Sequence, residues 1–184
     1  AEQALSDSEA RYRTIFENST DAVILMNGTI VDCNPAAEQL WGYPRDQIIG
    51  HDPSEFAPPV QPDGTESKDA AATFNLAAYE WGKQFFPYQY RNNDGRLIDC
   101  DVSLSSVIVG GERRLIAIIR DITARKYAEA QIEKSEQTLR LITDTVTDMV
   151  WLSDPDFFPV YISPSVVRLR GYTLAERQQL PLEQ

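Results

Sequence analysis

With 184 residues the chain can build one ordinary core and part of a second, since domains usually hold about 100–150 residues. Its 42% apolar and 24% charged residues are those of a folded globular protein and argue against a disordered chain. The net charge of −11 repels a phosphate backbone, so nucleic acid is not an expected partner, and the longest apolar runs, Ala22 to Met26 and Leu115 to Ile119, fall far short of the ~20 residues that span a bilayer.

Residues 1–10 lack the basic and apolar regions of a secretory signal, and Cys33 and Cys100, the only thiols, imply no disulfide framework. A cytoplasmic setting is therefore expected. The sequence opens in polar helix-forming residues and closes at Gln184 inside what reads as an unfinished domain. The expectation is a fragment of a longer protein, one that is free or membrane-attached elsewhere.

In chain order, residues 1–20 predict a helix, followed by strands near 22–26 and 29–33 with a tight turn at Gly28. Asn34 is a good helix N-cap and Pro35 suits the first helical position, so a short helix runs to about Leu40. A loop with Pro53, Pro58, Pro59, Pro62 and Asp63-Gly64 leads into a longer helix near 67–81, where Ala70, Phe74, Ala77, Ala78 and Trp81 recur at helical spacing and Gly82 ends it. Three strands follow near 84–91, 96–107 and 113–121, separated by the hairpin signals Asn93-Asp94-Gly95 and Gly110-Gly111. Strands, then helices, then strands predict an α+β fold, a largely antiparallel sheet with helices on one face.

Alternation assigns the faces. Phe86, Tyr88 and Tyr90 point one way, as do Ile98, Cys100, Val102 and Leu104 on the next strand. The last strand is apolar on both sides, with Leu115, Ala117 and Ile119 against Ile116 and Ile118, so its outer face calls for a cover from the N-terminal helix or a partner subunit.

The chain also repeats itself. Ser8-Glu9, Ile15, Asp21 and Val23 recur at one constant offset as Ser135-Glu136, Ile142, Asp148 and Val150. Beyond the Asn27-Gly28 turn, replaced by Asp154-Pro155-Asp156, the offset lengthens by two residues, so that Asn34-Pro35 recurs as Ser163-Pro164 and Gly42-Tyr43 as Gly171-Tyr172. The expected organisation is an N-terminal linker helix over 1–20, one complete domain over 21–122, a connecting helix over 123–145 and the truncated start of a second copy over 146–184.

Asn34-Pro35-Ala36-Ala37, Trp41-Gly42-Tyr43, Gly50, Asp94-Gly95 and above all Arg120-Asp121-Ile122-Thr123-Ala124-Arg125-Lys126 resemble the PAS sensory domains, whose last strand ends in an Asp-Ile-Thr signature. The resemblance implies a five-stranded antiparallel sheet around a central cleft. It further implies a place in sensor kinases, cyclic-dinucleotide enzymes, chemoreceptors or transcription regulators. It does not name a ligand. The sequence offers no nucleophile with a base and an orienting acid and no phosphate-cradling Gly loop, so no enzymatic activity is expected of this segment itself.

Cofactors are weighed on the residues. Where light-sensing relatives carry a flavin-reactive Cys, this sequence has Pro53, which argues against a covalent flavin adduct. The helix near 67–81 has no His to ligate haem, and the single His51, read as a solvated loop residue without partners, supplies no metal site. Non-covalent flavin, a small metabolite and an empty cleft stay open, with Cys33, Trp41, Phe56, Phe74, Phe86, Tyr88, Cys100, Val102, Ala117 and Ile119 as candidate lining or as plain core.

Signal relay is assigned to Asp121, Ile122 and Thr123, which lead into the connecting helix. There Ala128, Ile132, Ser135, Leu139, Ile142 and Val146 form a weak heptad seam, matched upstream by Leu5, Ser8, Tyr12 and Ile15. The linker helices and the outer sheet face are thus the expected homodimer contacts.

Overall fold

The computed structural model describes residues 2–145, 150–156, 158–165, 170–171, 173 and 175–176. Val146 of the seam and Asp148 and Tyr172 of the repeat lie outside the described residues. Ala1–Lys126 and Tyr127–Gln184 form two compact units.

The first unit runs α1 (Glu2–Glu17), β1 (Ala22–Asn27), β2 (Thr29–Cys33), α2 (Pro35–Trp41), α3 (Ser67–Glu80), β3 (Gln84–Arg91), β4 (Leu97–Val109) and β5 (Glu112–Asp121), with short 3-10 turns at Arg45–Gln47 and Pro53–Phe56. The five strands make one sheet in the order β2-β1-β5-β4-β3, and every neighbouring pair is antiparallel. Bringing β5 between β1 and β4 joins the first and last thirds of the domain at the sheet centre, where Ile24 faces Ala117 and Val102 faces Ile119.

The predicted N-cap operates: the Asn34 side chain accepts a hydrogen bond from Ala37 N with Pro35 in the first turn. Gly42, which the sequence reading did not name as a cap, ends α2 in the left-handed region at φ 75°. Gly42 carries a second constraint, because a Cβ there would lie 2.3 Å from Asn93 Oδ1. Asn93 N donates to Trp41 O at 2.9 Å, and its side-chain amide donates to Gly42 O at 2.5 Å. The β3–β4 turn is thereby clamped to the end of α2. At the β4–β5 turn both Gly110 and Gly111 hold positive φ, which a two-residue hairpin of the right twist requires. Pairing therefore continues to Val109↔Glu112, two residues beyond the predicted end of that strand.

One face of the sheet packs the core: Ile24, Ile30, Trp41, Cys100, Leu104 and Ile119 are almost fully buried. On the other face Val23 and Leu25 are buried, and Tyr12 and Phe16 of α1 share a groove with Leu25 and Val31, whereas Ile118 stays 40% exposed. The α1 helix thus lies over the β1–β2 side of a face whose β5 side remains open.

Helix α4 (Thr123–Thr145) begins in the first unit, and the second unit adds a hairpin of β6 (Trp151–Ser153) and β7 (Pro159–Ile162). Its turn is held by Asp154, whose Oδ1 accepts from Asp156 N and Phe158 N.

Candidate functional site

The inner sheet face and α3 enclose the predicted cleft. Phe74 of α3 stacks on Phe86 of β3 with ring centroids 3.5 Å apart, and the Tyr88 and Tyr90 rings follow at 4.9 Å from each other. What space remains at the centre is about 30 Å³, walled by Ile24, Met26, Phe86, Tyr90, Val102 and Ala117 among others. That holds one or two water molecules.

A larger cavity of about 260 Å³ opens at the margin where the proline-rich loop, α3, β3, β4 and the first turn of α4 meet, with Phe74, Tyr88, Cys100 and Lys126 in its wall. Its roof is fixed by Gln61, a buried side chain that pairs with the free edge of β3 as another strand would. Gln61 Oε1 accepts from Gln89 N at 2.7 Å, and Gln61 Nε2 donates to Gln89 O at 3.1 Å and to Ser67 Oγ at 2.7 Å. Tyr88 Oη donates to Ser67 O at 2.8 Å, so loop, helix start and edge strand are tied together.

The joint between sheet and α4 is built on Asp99 as much as on the predicted relay residues. Asp121 Oδ1 accepts from Thr123 N at 2.8 Å, capping the helix. Thr123 Oγ1 accepts from Asp99 N at 3.0 Å, and Asp99 O accepts from Ile122 N at 2.9 Å, with Ile122 buried beneath. Two ion pairs add to this, Lys126 to Asp99 at 3.1 Å and Arg125 to Asp101 at 3.2 Å. Asp99 sits between Ile98 and Cys100, which face the core, so both sides of one β4 pleat touch either the cleft or α4.

Of the ten predicted lining residues, Phe86, Tyr88, Val102 and Ala117 bound the central space, and Phe74 and Cys100 bound the larger cavity. Trp41 and Phe56 stack on each other at 4.7 Å, and with Ile119 they belong to the packed core. Cys33 is buried beside the α1 groove next to Arg45, which is paired with Asp32 at 2.7 Å. The predicted lining left out Ile24, Met26, Pro53, Ala71, Asn75, Tyr90 and Leu104 as wall residues. Alternation had already put Leu104 on the inner face, but a continuous apolar run such as Ala22 to Met26 gives no phase. His51 is not without partners: its Nδ1 lies 2.9 Å from Glu55 Oε2, and Phe56 meets the ring edge-on at 6.1 Å. The reason is local, since the 3-10 turn capped by Asp52 brings residues four apart together. Among the described residues no group of three or more His, Cys, Asp or Glu side chains could hold a metal.

Burial governs the titrating groups of this core. It pushes the Tyr88 phenol up to about 12, lifts Tyr90 well above the ordinary phenol range and raises the Cys100 thiol. All three stay protonated in the fold while the unfolded chain loses these protons from about pH 8.5 to 10. The sign follows: stability is fully present below that range and is lost as pH rises towards 12. The urea midpoint should be flat up to about pH 8 and fall steadily above it, with Tyr88 and Tyr90 forming phenolate only above the ordinary phenol range. A midpoint unchanged at pH 11 would contradict this burial.

A PAS domain family model matches residues 20–124. The oxygen sensor protein DosP of Escherichia coli is 27% identical over 173 residues, covering 90% of this chain and 20% of that protein. The sensor histidine kinase TmoS of Ectopseudomonas mendocina is 26% identical over 146 residues, covering 78% of this chain and 15% of that protein. The chain thus spans a fifth or less of these relatives. Among solved structures, the PAS domain of an HTR-like protein from Haloarcula marismortui matches with a TM-score of 0.54 at 27% identity, over 66% of this chain and 97% of that one. Because the family match takes in every strand of the five-stranded sheet, from Ala22 to Asp121, the chain belongs to the PAS domain family.

Proposed function

We propose that this PAS domain is the sensory input of a longer bacterial signal-transduction protein, in which a small ligand or a redox or metabolic cue alters the hold of β4 and β5 on α4. The helix passes the change to an output domain such as a histidine kinase or a diguanylate cyclase. The carrying observation is the joint at Asp99, whose backbone and side chain meet Ile122, Thr123 and Lys126. A shift of the pleat beside the cavity then changes the anchoring of α4 directly, which is the differential interaction that coupling requires. The sensor histidine kinase and oxygen sensor among the relatives support a sensory role within a larger protein.

Replacing Asp121 with alanine removes the cap on Thr123 N and should leave ligand binding intact while output regulation in the full-length protein is lost or reduced at least tenfold, a coupling of roughly 1–3 kcal/mol. Unaltered regulation would sink the relay. The closed 30 Å³ centre supports a second reading, a ligand-free module that only sets dimer geometry. Native mass spectrometry and an absorption spectrum of freshly purified protein separate the two, since a retained small molecule or flavin fits only the first.

In either reading the chain acts as a homodimer through its linker helices and outer sheet face. Support comes from exposed Ile132 and Leu139 along α4 and from Phe85 and Ile118 on the sheet. The protein works in the cytoplasm in this proposal, and among the described residues no helix is long and apolar enough to cross a membrane. Residues beyond the connecting helix are read as the start of a second PAS copy. The pair Ile24↔Cys33 has its counterpart in Trp151↔Ile162, and the bonds Val23 N to Asn34 Oδ1 and Asn34 N to Val23 O have theirs in Val150 N to Ser163 Oγ and Ser163 N to Val150 O.

A further inference from the structure

The 260 Å³ cavity beside α4 differs in chemistry from the closed centre. Its body is apolar, walled by the Phe74 and Tyr88 rings and by Pro62 and Pro87. The charged residues among its lining are Asp63, Asp99 and Lys126, two acids and one base, and Lys126 is paired with Asp99. Lys126 Nζ lies 3.1 Å from Asp99 Oδ1, and the two side chains are 48% and 28% exposed, so solvent competes for the pair and Lys126 is easily displaced. Asp63 engages one oxygen with Thr65 N at 2.9 Å, which orients its carboxylate on the rim.

Resting on the sensory reading above, we propose that this cavity binds a small primary amine with an aromatic or aliphatic body, and that the ligand ammonium takes the place of Lys126 on Asp99. The apolar body fills the space between Phe74 and Tyr88, and the head pairs with the Asp99 carboxylate. A carboxylate ligand would gain Lys126 only by facing both aspartates, and a neutral ligand would leave the existing ion pair undisturbed. The volume, below the roughly 300–1,000 Å³ of pockets for drug-sized molecules, selects a compact ligand of one ring or less. Binding is also a signal, because Lys126 belongs to the first turn of α4. Its release removes one side-chain tie of the joint and leaves the bonds of Asp99 to Ile122, Thr123 and Gln89 and the pair of Arg125 with Asp101.

The test is calorimetric titration of the purified 184-residue chain with phenethylamine, 2-phenylethanol and 3-phenylpropionate as cationic, neutral and anionic probes of one shape. Phenethylamine should bind at least roughly tenfold more tightly than the alcohol, and the anion most weakly. Lys126→Met removes the internal competitor and should tighten amine binding roughly threefold or more, whereas a purely structural Lys126 would leave it unchanged. Asp99→Asn should weaken it at least roughly tenfold. Ala70→Trp, which fills the cavity from α3, should abolish it, with urea midpoints confirming that each variant is folded. An amine that binds no better than the alcohol, or a Lys126→Met variant with unchanged affinity, overturns the proposal. Tight binding of the alcohol or the anion overturns the amine while sparing the sensory reading, which the retained-ligand experiment judges separately.

Discussion

Replacing Trp41 with alanine should lower the unfolding free energy by about 3–5 kcal/mol, a large share of the roughly 5–15 kcal/mol that holds a domain of this size. The side chain is fully buried, lies flat against Phe56 at 4.7 Å and meets Tyr90 at 5.4 Å, so its removal opens a hole bounded by two rings that the Pro53–Phe56 turn and β3 hold in place. The backbone beside it is also fixed, since Trp41 O accepts from Asn93 N across the β3–β4 turn, and the site cannot easily collapse. The indole Nε1 has no hydrogen-bond partner among the described residues, so the native tryptophan already carries a buried donor that costs about 1–3 kcal/mol. Trp41→Phe should consequently lose well under half as much as Trp41→Ala, because the lost volume is offset by removal of that donor. Urea denaturation at an unchanged m-value measures both. An alanine variant within 1 kcal/mol of the parent would show that the ring is not packed as described.

This residue also marks the limit of what could be read in advance. The sheet was legible because its signals are local: alternation gives faces, and Asn93-Asp94-Gly95 and Gly110-Gly111 announce hairpins whose registers then follow from the turns. Asn93 was legible as a turn residue and Gly42 only as part of a motif, and their clamp joins positions 51 residues apart, so that nothing in either segment names the other. The same holds for the site. Gln61 reads as one polar residue in a proline-rich loop, and only the fold sets its amide against the edge of β3. Asp99 reads as an outward strand residue, and its role arises because β5 returns beside β4 and delivers Ile122 and Thr123 to it. Trp41 and Phe56 looked like lining because they are aromatic and inward. Whether an inward ring borders a void or another ring depends on volumes summed across the core, which no spacing rule reports.

Asn34 is the position where a local signal and a long-range one coincide, and Asn34→Ala is expected to cost about 3–4 kcal/mol. As an N-cap its Oδ1 accepts from Ala37 N at 3.1 Å, a role worth about 1 kcal/mol by itself. The same oxygen accepts from Val23 N at 2.9 Å, and Nδ2 donates to Asp21 O at 3.0 Å and to Phe16 O at 3.1 Å, so one fully buried amide ties α2 to β1 and to the end of α1. Alanine leaves those groups unpaired, each at about 1–3 kcal/mol less whatever water recovers. Two further substitutions divide the loss. Serine keeps an acceptor for the strand amide, as Ser163 Oγ does for Val150 N in the second unit, but cannot reach Phe16 O and Asp21 O as well, and should restore about half of the stability. Aspartate caps α2 as well as asparagine does, yet sets a carboxylate against two carbonyl oxygens. Its folded-state pKa should therefore lie above the unfolded value, so the variant is at its most stable below about pH 4 and loses ground as pH rises through the folded pKa. Hydrogen exchange at the Val23 amide reports the strand bond directly and should speed up in alanine but not in serine. If alanine and serine prove equally destabilised, the Val23 bond contributes nothing and only the tie to α1 matters.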